Sequence, residues 1–169
     1  NIGPTIMSGR VVDLAVNPKN PTEFYVAYAT GGLWYTNNNG TSFSPVMDSA
    51  ETVNCGSVTV DWNSGTIWVG TGEVNASRSS YAGVGVLKSS DKGKTWENLG
   101  LKDSHHISRI WVNPSNLNEI VVAAVGHLYT TNKERGIYKS TDGGKSWQQT
   151  LFVAEDAGII DLVVSKTNH

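Results

Sequence analysis

Apolar residues in this chain fall in short runs separated by polar, turn-forming stretches, and the runs recur in a fixed order. The first kind reads Val11-Val-Asp-Leu-Ala-Val16, Gly56-Ser-Val-Thr-Val60, Ile107-Ser-Arg-Ile-Trp-Val112 and Ile159-Ile-Asp-Leu-Val-Val164. Its last Val residues lie 44, 52 and 52 positions apart. Asn17-Pro18 and Asn113-Pro114 stop two of these runs with a turn signal. The second kind reads Glu23-Phe-Tyr-Val-Ala-Tyr28, Thr66-Ile-Trp-Val-Gly70 and Glu119-Ile-Val-Val-Ala-Ala124. The third opens on glycine: Gly32-Leu-Trp-Tyr35, Gly85-Val-Leu-Lys88 and Gly136-Ile-Tyr-Lys139. β-Branched and aromatic runs of this length predict strands.

An octet follows each third run: Thr36-Asn-Asn-Asn-Gly-Thr-Ser-Phe43, Ser89-Ser-Asp-Lys-Gly-Lys-Thr-Trp96 and Ser140-Thr-Asp-Gly-Gly-Lys-Ser-Trp147. The frame is Ser/Thr-x-Asp/Asn-x-Gly-x-Ser/Thr-aromatic, repeated at intervals of 53 and 51 residues. It turns the third strand into a fourth, ending near Val46, Leu99 and Leu151. Each unit is then a four-stranded antiparallel sheet, and such sheets at this period are propeller blades. The fold class expected is all-β, a β-propeller fragment. Blade 1 covers about 8–48, blade 2 about 54–101 and blade 3 about 105–154, with the first strand of a fourth blade at about 157–169. Closed propellers carry ~4–8 blades, so the expected partners include the remaining blades of a longer chain.

The octet has a local physical reading. Gly40, Gly93 and Gly144 supply the positive φ that a tight hairpin needs. Asn38, Asp91 and Asp142 accept bonds from the N–H groups of their own turn, and the flanking hydroxyls close the rest. Phe43, Trp96 and Trp147 are expected to fill the space between blades. These carboxylates are therefore read as structural, and no catalytic residue is assigned. Gly93-Lys94-Thr95 and Gly144-Lys145-Ser146 mimic the end of a phosphate-binding loop. The glycine that loop needs five residues earlier is Lys88 and Lys139, so it is absent twice.

Composition narrows the function classes. The 169 residues make a one-domain length with a net charge of −2, which gives no electrostatic case for nucleic acid. No apolar segment reaches the ~18 residues of a transmembrane helix. A lone Cys55 forms no internal disulfide and reads as a small buried filler.

The octet resembles the Asp-box, or bacterial neuraminidase repeat, of sialidases, xyloglucan-active glycoside hydrolases and sortilin-type receptors. Longer phrases are similar to a bacterial secreted group called sortilin N-terminal-like or BNR-repeat "glycosyl hydrolases". They are Ser8-Gly-Arg-Val11, Gly31-Gly-Leu-Trp34, Val69-Gly-Thr-Gly-Glu73, Gly100-Leu-Lys-Asp-Ser-His-His-Ile107, Gly126-His-Leu128 and the stretch from Glu134 to Trp147. The resemblance implies a many-bladed propeller, ten-bladed if it follows sortilin, in the extracellular space or cell envelope of a bacterium. Two enzyme patterns of these relatives are not matched. The sialidase Arg-Ile-Pro stands here as Ser-Gly-Arg-Val around Arg10, and the place of the xyloglucanase catalytic Asp is held by Ala29.

In propellers the second-to-third and fourth-to-first connections share the face opposite the octets, and function concentrates in such loops. Candidate ligand-binding residues there are Arg10, Glu73, Arg78, Tyr81, His106, His127 and Arg135. Pairing of Glu73 with Arg78, or of Glu134 with Arg135, would instead make these groups loop braces. His105, His106 and His127 raise a zinc site, but no third ligand stands at metal-site spacing, and no metal or cofactor is assigned. The function expected is a binding scaffold for a protein, peptide or glycan. The alternative is a piece of a glycoside hydrolase whose carboxylates are shared with other blades.

Overall fold

The computed structural model describes residues 9–75 and 80–165. It holds three four-stranded antiparallel sheets, each ordered as in the sequence. Blade 1 is β1 (Val11–Val16), β2 (Phe24–Tyr28), β3 (Gly32–Thr36) and β4 (Ser44–Pro45). Blade 2 is β5 (Cys55–Asp61), β6 (Thr66–Thr71), β7 (Val86–Ser89) and β8 (Glu97–Asn98). Blade 3 is β9 (Ile107–Val112), β10 (Ile120–Ala124), β11 (Gly136–Ser140) and β12 (Gln148–Leu151). A 3-10 turn, Lys102–Ser104, precedes β9. No helix among the described residues is long and apolar enough to cross a membrane.

Register repeats with the sequence. Phe24 faces Thr36, Ile67 faces Ser89 and Ile120 faces Ser140, so each octet begins opposite the start of its second strand. Each innermost ladder skips one residue at the same place, between Val11 and Asp13, Cys55 and Ser57, and Ile107 and Arg109. A bulge there increases the local twist where the strand enters the sheet. β12 ends at Leu151 as the sequence suggests, whereas β4 and β8 are shorter. Pro45 has no N–H for a ladder, although single bonds from Val46 N–H to Leu33 O (3.0 Å) and Leu99 N–H to Val86 O (2.8 Å) continue the pairing. Residues 157–165 run beside β9 without forming a ladder. Ile159 N–H donates to Ala124 O at 3.2 Å, and the Ser108 hydroxyl donates to Ile159 O at 2.7 Å. The expected strand at 157–169 is thus seen as an extended run, with 166–169 outside the described residues.

Two apolar layers lie between the blades. Tyr25, Leu33, Met47, Cys55, Ile67 and Leu87 join blades 1 and 2, and Trp68, Val86, Ile107, Ile110 and Ile120 join blades 2 and 3. Burial pushes the Cys55 thiol up to about 12, leaving it an inert filler. The octet aromatics bolt these layers together. Trp96 donates its indole N–H to Val46 O at 3.0 Å, and Trp147 does the same to Leu99 O at 2.7 Å. Phe43 instead meets its own blade, edge-on to Phe24.

Candidate functional site

The octets close on themselves. Asp142 Oδ1 accepts from Ser140 Oγ (2.7 Å) and Ser146 N–H (3.0 Å), and its Oδ2 accepts from Ser146 Oγ (2.6 Å). Asp91 repeats the pattern with Ser89 and Thr95, and Asn38 with Thr36 and Ser42. Gly40, Gly93 and Gly144 have φ of 80°, 90° and 93°, and the residue before each is also left-handed. Hydrogen bonds from Thr95 and Ser89 lower the Asp91 carboxyl to about 2, and equivalent bonds hold Asp142 lower still. An acceptor already filled by three donors of its own turn has little capacity for a substrate. The octets also bind the first-to-second connections of their own blades, as Asn39 N–H does to Thr22 O (2.9 Å) and Gly143 N–H to Asn118 O (2.9 Å).

The opposite face is built by the β2–β3, β6–β7 and β10–β11 connections together with the turns that lead into β5 and β9. Gly72 N–H donates to Asn54 O (2.9 Å), and Gly83 N–H to His105 O (2.6 Å). On this face, at the junction of blades 1 and 2, Arg10 pairs with Glu73. The carboxylate is 2% exposed and the guanidinium 47%. Glu73 N–H also donates to Tyr81 O, which ties two points of the β6–β7 connection together. The brace thus forms between blades, from a residue 63 positions away. Arg78 lies outside the described residues, and Tyr81 is exposed on the same loop.

Arg135 is buried and spends its guanidinium on main chain. It donates to Val125 O (2.8 Å), His127 O and Thr130 O (2.8 Å), so it holds the β10–β11 loop from within. Glu134 accepts from Asn132 instead, at 3.1 Å. The three described arginines therefore do not converge as a carboxylate grip would require. Arg109 bridges Asp161 (2.7 Å) and Asp13 (3.7 Å) along the inner strands.

The histidines form a stack rather than a ligand set. His105 and His127 lie face to face, 3.7 Å between centroids, and His127 contacts Asp103 O at 3.0 Å and the Thr130 hydroxyl at 3.1 Å. His106, 4% exposed, sits edge-on to His105, and its Nδ1 has no partner. Burial, with the neighbouring rings, lowers His106 to about 4, so it is neutral at pH 7. Among the described residues no three His, Cys, Asp or Glu groups converge. Outside this stack, Tyr129 is 70% exposed beside a shallow hollow of about 270 Å³ lined by Leu128, Thr131 and Asp156. Tyr129 and the hollow carry no motif; only the length of the β10–β11 loop pointed to them.

No family model matches the chain. Over 81 residues, 47% of this chain, it is 36% identical to Vacuolar protein sorting/targeting protein 10 of Kluyveromyces lactis, and the match spans 5% of that protein. Among solved structures it is similar to an ancestral GH74 enzyme, with TM-score 0.65 and 23% identity over 88% of this chain and 19% of the other. It is also similar to YCF48 bound to D1 peptide, with TM-score 0.60 and 17% identity over 89% of this chain and 44% of the other. The chain spans less than half the length of each. With the same self-closed octet in all three sheets, it carries three four-stranded blades of a β-propeller.

Proposed function

We propose that the chain belongs to a secreted or cell-envelope bacterial propeller that acts as a binding scaffold for a protein, a peptide or a glycan. The observation that carries this reading is the state of Glu73. Among the described residues it is the one buried acid, and it is locked to Arg10 across blades 1 and 2. A carboxylate removed from water and committed to a cation is badly placed to transfer a proton to a glycosidic oxygen, which needs a second carboxyl ~5–9.5 Å away. The surrounding loops are pinned by main-chain bonds to Arg135, His105 and Asn54, which leaves Tyr81, Tyr129 and the His127 edge as a rigid surface. Rigid aromatic groups with polar neighbours suit recognition at low entropic cost. Exposed apolar flanks at Leu14 and Ile160 are the sides on which further blades of a longer chain would pack.

The second reading is a glycoside hydrolase with its acids on other blades, and the likeness to a GH74 enzyme favours it. The two separate in one experiment. The longest natural chain containing this segment is assayed for hydrolysis of a polysaccharide panel and for binding to peptide and glycan arrays, as wild type, Glu73→Gln and Tyr129→Ala. Binding that falls with Tyr129→Ala, without hydrolysis, supports the scaffold. Hydrolysis of any polysaccharide by the wild type overturns it, and its survival in Glu73→Gln places the acids on other blades.

A further inference from the structure

A cleft of about 270 Å³ lies between blades 1 and 2 on the octet face, away from the loops described above. Its floor is Tyr25, 4% exposed, whose ring lies 4.9 Å from Tyr35 and 5.5 Å from Trp62. Both of those rings are half-buried and line the opening. Glu23 stands at one side and the exposed Lys92 at the other.

Loop length explains why the cleft is open. The β1–β2 and β9–β10 connections have seven residues each, 17–23 and 113–119, whereas β5–β6 has four, 62–65. In blade 3 the longer loop lays Pro114 and Leu117 against blade 2, and the gap they line with Val60 and Val112 is only about 60 Å³. Blade 2 has no such plug over blade 1.

Blade 3 also shows what the fold alone requires here. Asn113 donates to Glu119 Oε2 at 2.8 Å, and Lys139 holds the other oxygen at 2.5 Å. Blade 1 keeps the first bond, from Asn17 to Glu23 Oε2 at 2.6 Å. In place of Lys139 it has Tyr35, whose hydroxyl donates to Glu23 Oε1 at 2.5 Å. The residue paired across the ladder changes too, from Val121 to Tyr25. The turn is satisfied either way. The rings and the open volume are additions that the turn does not need.

The two charges select the ligand. A cationic ligand would meet Lys92 and an anionic one Glu23. A neutral polyol can donate hydroxyls to Glu23, accept from Lys92 and lay its C–H face on an aromatic ring. The volume lies just under the ~300–1,000 Å³ usual for small-molecule pockets, which fits one sugar ring and excludes a bulky chain. We propose that this cleft binds a neutral pyranose unit of a glycan, with Tyr35 and Trp62 as its apolar walls and Glu23 and Lys92 as its hydroxyl partners.

The test is a heteronuclear NMR titration of the longest natural chain containing this segment, ¹⁵N-labelled at its tryptophan indoles, with glucose, galactose, mannose, xylose and N-acetylglucosamine. The Trp62 indole N–H is assigned through Trp62→Phe, and the other five indoles of this segment report on folding. Tyr35→Lys and Lys92→Gly place at each site the residue blade 3 already uses there, Lys139 and Gly143. The expected result is a saturable shift of the Trp62 indole with at least one sugar, its affinity weakened about tenfold or more, ~1.4 kcal/mol, by each variant while the other indoles keep their positions. No shift with any sugar, or affinities unchanged in Lys92→Gly and in folded Tyr35→Lys, overturns the proposal. So does a Trp62 shift produced by tetramethylammonium or phosphate in place of the sugars. None of these outcomes bears on the loop-face scaffold, which lies on the opposite side of the blades.

Discussion

Arg10→Ala leaves the Glu73 carboxylate, 2% exposed, without its cation at the junction of blades 1 and 2. Glu73→Gln leaves the opposite remnant, a guanidinium that is 47% exposed and keeps its water. The two changes should therefore differ widely, although they break the same pair. Losing one partner of a buried pair costs about 3–5 kcal/mol when the surviving charge stays buried. Neutralising the buried partner while keeping an amide in its place costs about 1.5–3 kcal/mol, the worth of a hydrogen bond to a charged group. The double variant removes the stranded charge, so it should be about 2 kcal/mol more stable than Arg10→Ala alone. Urea denaturation followed by tryptophan fluorescence at pH 7 measures all four proteins, compared by midpoint at constant slope. Equal costs for the two single changes, or a double variant as unstable as their sum, would refute the claim that an interior carboxylate is held by a surface cation. An equal pair of small costs would also reopen Glu73 as a group free to act on a substrate.

Four further outcomes follow from the geometry. The depressed carboxyls of Asp91 and Asp142 contribute stability that is complete above the unfolded value of about 4 and is lost as pH falls toward 2. Asp91→Asn with Asp142→Asn, the residue type blade 1 uses at Asn38, should flatten that acid limb in denaturation midpoints measured from pH 5 to pH 2. His106, lowered to about 4, binds its proton more readily unfolded, so stability should fall as pH drops from about 6.5 to about 4, by up to ~1.4 kcal/mol per pH unit. His106→Gln should remove that slope in the same measurement. The glycines opening the third strands should differ: a Cβ at Gly85 or Gly136 would lie 1.9 Å from a carbonyl oxygen, whereas at Gly32 nothing comes nearer than 3.8 Å. Gly32→Ala should cost the ~1–2 kcal/mol of a left-handed backbone, and Gly85→Ala and Gly136→Ala distinctly more in thermal melts. Trp147→Phe keeps the ring but loses the bond to Leu99 O, so it should cost about 1 kcal/mol, against about 3 kcal/mol for Trp147→Ala, both read from urea midpoints.

The sheets were legible because a period of about fifty residues repeats the same local chemistry, and each turn is closed by residues inside its own octet. Trp96 and Trp147 reach the neighbouring blade as the octet suggested, and what lay beyond the sequence was the polar pairing across blades. Glu73 has Arg78 five positions away, yet the structure pairs it with Arg10, on another blade. Arg135 adjoins Glu134, but its buried guanidinium turns inward to carbonyls because the β10–β11 loop has main-chain acceptors to satisfy. The octet-face cleft left a readable signal. The β5–β6 loop is three residues shorter than its counterparts, and Tyr35 stands where Lys88 and Lys139 stand in the other units.

That signal carries a general lesson about repeats. A residue found in the same role in every blade is explained by the blade, and its identity says nothing further about a ligand. A departure is informative only when the structural task is visibly met without it. Phe43 fails that criterion, because a different aromatic simply packs on its own blade. Tyr35 meets it: Lys139 shows that a cation suffices to hold the turn carboxylate, so the ring is not owed to the turn. Trp62 meets it as well, since its blade closes the turn through Asp61 and Ser64, and the indole lies in the cleft instead of closing it. Two such departures, from different blades, that line one cavity with a carboxylate and an ammonium make selection for a ligand a stronger account than drift in a structural repeat.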